Sequence, residues 1–150
     1  MESIVVNKQD QLELCLRLRR EVFVVEQQVP ADLEIDELDT LEAPCRHVLL
    51  LEAGEPVATA RMKAYDEETA KIQRVAVRLE RRGQGLGRRV MEELERLAAA
   101  EGYAAALLDA QLPARAFYER IGYTAVSEET FYDAGILHVR MAKKLDNHSD

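Results

Sequence analysis

The sequence predicts an α/β domain: one mixed, mostly antiparallel central sheet with helices on both faces. Three observations predict it. Strand-like runs at residues 47–53, 57–65 and 69–77 are separated by short turns, which makes an antiparallel meander. The glycine turn Arg82-Gly83-Gln84-Gly85-Leu86-Gly87 then leads into a helix-like run over residues 88–100. A further strand-like run, residues 103–110, follows that helix. A strand, helix and strand in this order form a right-handed crossover between parallel strands.

Each element has a local cause. Residues 3–6 read as a short strand. Residues 9–27 read as an amphipathic helix, with Leu14, Leu18, Val22 and Val25 at helical spacing on one face. Residues 29–44 have Pro near each end and many acids, so they read as a long loop with at most one helical turn. Gly54-Glu55-Pro56 turns the first hairpin. Gly102 stops the central helix. Pro113 suits the first turn of a short helix that Gly122 ends. Residues 123–127 and 136–144 read as the final strands. The domain spans residues 1–145, and residues 146–150 read as a frayed tail.

Composition narrows the function classes. A chain of 150 residues is one domain's worth and can bury a core without disulfides. Its 47% hydrophobic and 32% charged residues describe a soluble globular protein. No run is long and apolar enough for a bilayer, so no membrane association is expected. The start, Met1-Glu2-Ser3-Ile4, lacks the pattern of a secretory signal. Cys15 and Cys45 match no metal or redox spacing and read as reduced thiols of a cytoplasmic protein. A net charge of −8 argues against a nucleic-acid partner.

The glycine turn carries the strongest functional signal. Alternate glycines let main chain approach a ligand closely, and the following helix start presents unpaired N–H groups. That combination is an anion site, most often for phosphate. Lys71, Arg74, Arg78, Arg81, Arg82, Arg88 and Arg89 surround it in sequence, with Glu80 the one intervening acid. This reads as a local reversal of sign in an acidic chain. A nucleotide P-loop is excluded, because Arg88 and Arg89 stand where Lys and Ser or Thr would be. A dinucleotide turn fits poorly, because Gly85 and Gly87 are two positions apart rather than three, although Asp109 could imitate its ribose-binding acid.

Arg82, Gly85 and Gly87 resemble the Gln/Arg-x-x-Gly-x-Gly/Ala coenzyme A loop of the GNAT superfamily of N-acetyltransferases. Phe117-Tyr118-Glu119-Arg120-Ile121-Gly122-Tyr123 resembles that family's C-terminal Phe-Tyr-Glu-x-x-Gly-Phe/Tyr segment. Leu18-Arg19-Arg20-Glu21-Val22-Phe23-Val24-Val25-Glu26-Gln27, with the later Glu34-Ile35-Asp36-Glu37-Leu38-Asp39, is similar to the ElaA-like and YjcF-like bacterial branch. Three motifs in the correct order are more specific than the loop alone.

The resemblance implies a GNAT fold whose middle strands splay apart around acetyl-coenzyme A, with no metal. It implies N-acetylation of a primary amine by direct attack on the thioester, the acceptor being a small molecule or a protein amine. The main chain of Arg82, Gly83, Gln84, Gly85, Leu86, Gly87 and Arg88 would hold the diphosphate. Val75, Ala76 and Val77 would pair with pantetheine amides, the N–H near Val75 serving as oxyanion donor. Gln111, Ala114, Phe117 and Tyr118 would line the same groove. Tyr118 is the expected general acid, since a phenol of pKa about 10 stays protonated at neutral pH. Glu34 and His138 are the two base candidates. Glu26, Glu34, Asp36 and Asp39 are expected to meet a cationic acceptor, with a solvated acidic loop as the plainer reading. Two other readings stand beside this one: a non-catalytic acyl-coenzyme A sensor, and an amino-sugar-phosphate N-acetyltransferase, which the acidic loop disfavours. A homodimer is the default assembly.

Overall fold

The computed structural model describes residues 1–145. Its strands are β1 (Glu2–Val5), β2 (Cys45–Glu52), β3 (Glu55–Ala64), β4 (Thr69–Val77), β5 (Ala105–Gln111), β6 (Thr124–Asp133) and β7 (Ile136–Lys144). They form one sheet in the order β1-β2-β3-β4-β5-β7-β6. Among the described residues the β4–β5 pair alone is parallel. The helices are α1 (Gln9–Arg19), α2 (Ala31–Glu34), α3 (Leu86–Ala100) and α4 (Arg115–Arg120). The expected tail at residues 146–150 lies outside the described residues.

Strand alternation divides the core. Val48 and Leu50 face α3 together with Ala58, Ala60 and Met62, in the main apolar cluster with Val90, Met91 and Leu94. Leu49 and Leu51 face the other way, against Cys15 of α1. Leu18 and Val22 meet Ala76 on that same side. Helices therefore cover both faces, as expected. The α3 stripe is wholly buried at Leu86, Val90, Met91, Leu94 and Ala98, which is the spacing an amphipathic helix requires.

Two expectations need correction. The first helix does not run uniformly to Gln27: after Arg19 it widens into a π-helix, Arg20–Glu26, closed by Gln27 N–H to Val22 O at 3.1 Å. The wider turn rotates Val25 off the apolar face, leaving it 68% exposed while Val22 is buried. The second correction is the last hairpin. β6 extends to Asp133 across a break in register between Ala125 and Thr130, and Ala134-Gly135, both at positive φ, turn it into β7. The sequence there is polar, and every residue from Ser127 to Asp133 is exposed, so no apolar alternation marks the strand.

The feature that shapes the centre is a bulge. Thr59 pairs with Ala76 and Arg61 with Gln73, so Arg74 and Val75 together oppose Ala60. Arg74 takes a left-handed backbone, φ 58°. Bulges bend the strand that carries them. β4 and β5 pair from Thr69↔Ala105 to Ile72↔Leu108 and then separate, though β4 continues to Val77 and β5 to Gln111. The middle strands splay.

Beside the bulge, the α1 face of the sheet is polar. Arg19 donates to Glu34 Oε2 at 2.8 and 3.0 Å and to Asp39 Oδ1 at 2.7 Å. Arg61 donates to Asp39 Oδ1 at 2.8 Å and to both oxygens of Asp36 at 2.9 and 2.7 Å. Arg74 reaches Glu34 Oε2 at 3.0 Å and Asp36 at 3.5 Å. Three arginines thus neutralise three acids of the 29–44 loop and fasten it to the sheet. Burial opposes ionisation of Asp39, but the Arg19 hydrogen bonds and charge outweigh it and hold the carboxyl well below its usual range. His47, buried nearby on β2, has an Nε2 without a hydrogen-bond partner. Burial, then the Arg19 charge, push it down to about 4.

Asp39→Asn leaves two buried guanidiniums facing a neutral amide, and should lower the unfolding free energy in urea by about 3–5 kcal/mol. His47 gives a separate pH signature. Its folded pKa lies below its unfolded value, so its contribution is complete above about pH 6.5 and is lost as pH falls toward 4. At pH 5 the wild type should be about 2 kcal/mol less stable than at pH 7.5 on this account, and His47→Gln should flatten that slope.

Candidate functional site

The splay opens a cavity of about 830 Å³. One part of its wall is Val75 and Val77 of β4, the glycine turn and the first turn of α3. Ala114, Phe117 and Tyr118, entering α4, form another. Phe23 and Gln27 from the π-helix, Leu33 and Glu34 from α2, Gln73 and Lys71 from β4, Asp109 and Gln111 from β5 and His138 from β7 complete it.

The three glycines serve two purposes. Gly83 and Gly85 both sit at φ 80°, where a side chain would be strained. Gly87 is helical, but a Cβ there would lie 3.1 Å from the Phe117 ring. The first α3 hydrogen bond is Arg89 N–H to Gly85 O at 3.1 Å. The N–H groups of Leu86, Gly87 and Arg88 therefore lack intrahelical acceptors, at the end of the helix where its dipole is positive. A helix start of this kind can accept an anion such as a diphosphate.

The side-chain charges around it do not form the free basic patch that the sequence suggests. Arg74 pairs with Glu34 and Asp36, Arg78 with Glu21 and Glu80, and Arg81 with Glu52. Arg82 holds Glu26 through both oxygens, at 2.5 and 2.7 Å, while its Nε donates to Val77 O. Arg88 is 3.6 Å from Glu92, and Lys71 is 3.5 Å from Asp109. Glu21, Glu26, Glu34, Asp36, Glu52 and Asp109, distant in sequence, thus return to pair with most of the cluster.

Tyr118 is buried on the cavity wall, its ring edge-on to Phe117 at 5.0 Å and to Tyr123 at 5.9 Å. Burial pushes its phenol above the ordinary value, so it is protonated at every physiological pH. Tyr123 is fixed behind it by a 2.7 Å hydrogen bond to Glu95, which also accepts from Lys143. His138 donates from Nδ1 to Ile136 O at 2.7 Å and stacks on Phe131. In neutral His138 that bond leaves Nε2 with the lone pair. Glu34 lines the cavity while Arg19 and Arg74 hold its Oε2, and its buried Oε1 has no partner.

The remaining expected residues separate. Asp36 and Asp39 do not reach the cavity wall: their oxygens are taken by arginines in the cluster described above. Glu26 also lies off the wall, tied to the glycine turn through Arg82 rather than grouped with the loop acids. The carboxylates of these three meet arginines rather than the cavity. Ala76 turns its side chain toward Leu18 and Val22, and Gln84 bonds Arg81, so each could contribute only main chain to the groove. Gln111 does line the cavity, where its amide donates to Gln27 at 2.9 Å. Asp109 accepts from Arg140 at 2.9 and 3.2 Å, so it is not a free ribose-binding acid. The roles of Arg19, Arg61 and Gln27 were not anticipated; alternation along β3 places Arg61 with Thr59 on the α1 face, which was the available signal for Arg61. Among the described residues no group of three His, Cys, Asp or Glu side chains is placed to hold a metal, and no helix is long and apolar enough to cross a membrane.

Comparison with known proteins agrees with this geometry. Residues 8–145 match the acetyltransferase (GNAT) domain family. The N-acetyltransferase YjcF of Bacillus subtilis is 38% identical over 143 residues, covering 95% of this chain and 99% of YjcF. The crystal structure of Escherichia coli ElaA superposes with a TM-score of 0.82 at 33% identity, covering 95% of this chain and 98% of ElaA. An aminoglycoside 6'-N-acetyltransferase complexed with coenzyme A shares the fold, with a TM-score of 0.78 at 17% identity over the whole of both chains. A splayed sheet, a glycine-turn anion site and a match across nearly the full length lead to one conclusion: this chain belongs to the GNAT family and is an acyl-coenzyme A-dependent acetyltransferase.

Proposed function

We propose that the protein transfers acetyl from acetyl-coenzyme A to the primary amine of a small molecule, by direct attack of the amine on the thioester. One observation carries this reading: the main-chain anion site, the Tyr118 phenol, Glu34 and His138 all line one cavity. Acetyl-coenzyme A supplies the activated acyl group. The amides of Leu86 to Arg88 would hold its diphosphate, each charge-assisted hydrogen bond being worth roughly 1.5–3 kcal/mol. The β4 edge beyond Ile72 has no β5 partner, so its main chain is available to pantetheine amides, and the N–H near Val75 to the oxyanion.

Tyr118 would protonate the departing thiolate. Its raised pKa keeps the proton in place until sulfur develops charge. Glu34 Oε1 and His138 Nε2 are the two atoms that could accept the amine's proton. The acceptor class is broader than the acidic loop suggests. Glu34, Asp36 and Asp39 are each paired with arginine, so the charge argument against a phosphorylated acceptor loses its basis.

A thiol-release screen against amino acids, polyamines, amino sugars and their phosphates tests the reading. Thiol released with at least one amine supports transfer, whereas coenzyme binding with no release across the panel favours a sensor. Tyr118→Phe should lower kcat about 100-fold with little change in coenzyme Kd, and an unchanged kcat removes the acid assignment. The pH–rate profiles of Glu34→Gln and His138→Ala should differ on the acidic limb. Loss of that limb in one variant names the base, and its persistence in both leaves water as the proton acceptor.

A further inference from the structure

The glycine turn positions a diphosphate, yet the strongest charge on coenzyme A lies elsewhere. Its ribose carries a 3'-phosphomonoester, a group of nearly two negative charges at neutral pH. Main-chain amides do not select for it. The structure offers a second, smaller cavity of about 230 Å³, between α3, the end of α4 and β7. Two residues, Arg88 and Arg120, line both this cavity and the large one. They mark where the two adjoin.

The direction of the ligand follows from the large cavity. Its thioester end belongs at Tyr118, and its diphosphate at the amides that open α3. The nucleotide end must then leave past the first turn of α3, where Arg88 stands. Tyr118 and Arg120 lie on the same short helix, the first buried and the second exposed. Arg120 is thus presented outside the helix whose inner face carries the phenol.

Charge state separates Arg120 from its neighbours. Arg78, Arg81 and Arg82 are each committed to an acid. In the small cavity, Glu95 is occupied by Tyr123 and Lys143, and Glu92 stands 3.6 Å from Arg88. Among the described residues Arg120 makes no ion pair, and Arg88 makes only that long, exposed one. We propose that Arg120, assisted by Arg88, binds the 3'-phosphate of coenzyme A and makes the enzyme select coenzyme A over its 3'-dephospho form. This rests on the coenzyme reading of the cleft. A guanidinium suits the task because it donates two parallel hydrogen bonds to a phosphate.

Calorimetry with coenzyme A and 3'-dephospho-coenzyme A, at one ionic strength, tests it. Wild type should bind coenzyme A about tenfold more tightly than the dephospho form, the scale of one charge-assisted contact at an exposed site. Arg120→Gln should lose most of that preference while binding dephospho-coenzyme A as wild type does; Arg88→Gln should lose part of it. Arg89→Gln, a half-buried cation lining neither cavity, should keep it. Equal binding of the two forms by wild type overturns the 3'-phosphate assignment alone. An equal loss in Arg89→Gln also overturns it, by showing a diffuse field. Failure of wild type to bind either form overturns the coenzyme reading as well.

Discussion

The architecture of the cleft depends on Arg74. Its left-handed backbone costs about 1–2 kcal/mol for a residue with a side chain, and the cost is met by what its guanidinium holds. It donates to Glu34 O at 3.0 Å and Leu33 O at 3.3 Å, and it pairs with Glu34 Oε2. One residue therefore does two things. Its main chain forms the bulge that bends β4 away from β5, and its side chain secures the α2 segment that walls the opening. A strand that bent without the loop would leave the cleft open to solvent on the α1 side. A loop without the bend would cover a closed sheet.

Arg19 and Arg61 extend this anchor into a neutral cluster of three cations and three anions. Burying such a set gains little net stability over an apolar core, because desolvation offsets the attraction. What it provides is a defined position. Apolar side chains tolerate sliding, whereas bidentate arginine–carboxylate pairs fix both distance and angle. A 16-residue irregular segment with one short helix needs that constraint, since it has no sheet register of its own.

The order of elements was legible because it follows from local chemistry: turns, caps and alternation. The β4 boundaries match residue for residue, and the α3 start differs by two. The main chain of the glycine turn was legible for the same reason, since φ 80° at Gly83 and Gly85 is a demand only glycine meets cheaply. Three things were not. The π-helix depends on tertiary packing and carries no sequence period of its own. The bulge at Arg74 contradicts local propensity, because arginine has no preference for positive φ. The fate of the acids was hidden most deeply. An acidic loop and a basic strand read as two exposed sites of opposite sign, but residues 34, 36 and 39 meet residues 19, 61 and 74 only after the sheet has formed.

That pairing changes how the anion site must work. Had the arginines around the glycine turn been free, their summed field would draw in any polyanion and would weaken sharply with salt. With Arg78, Arg81 and Arg82 committed to glutamates, that field is weaker, and what remains comes from Arg88, Arg89 and Arg120 beyond the turn. At the turn itself the groups left to meet a diphosphate are main-chain N–H groups, which act over a hydrogen-bond length and point in fixed directions. Such a site recognises shape before charge: a diphosphate seated close to the backbone is favoured and a bulky polyanion is not. Gly87 sits among these amides, and its lack of a Cβ also lets the Phe117 ring of α4 pack against α3. Phe117 is joined edge-on to Tyr118, so the packing beside the glycine turn also sets where the Tyr118 phenol stands.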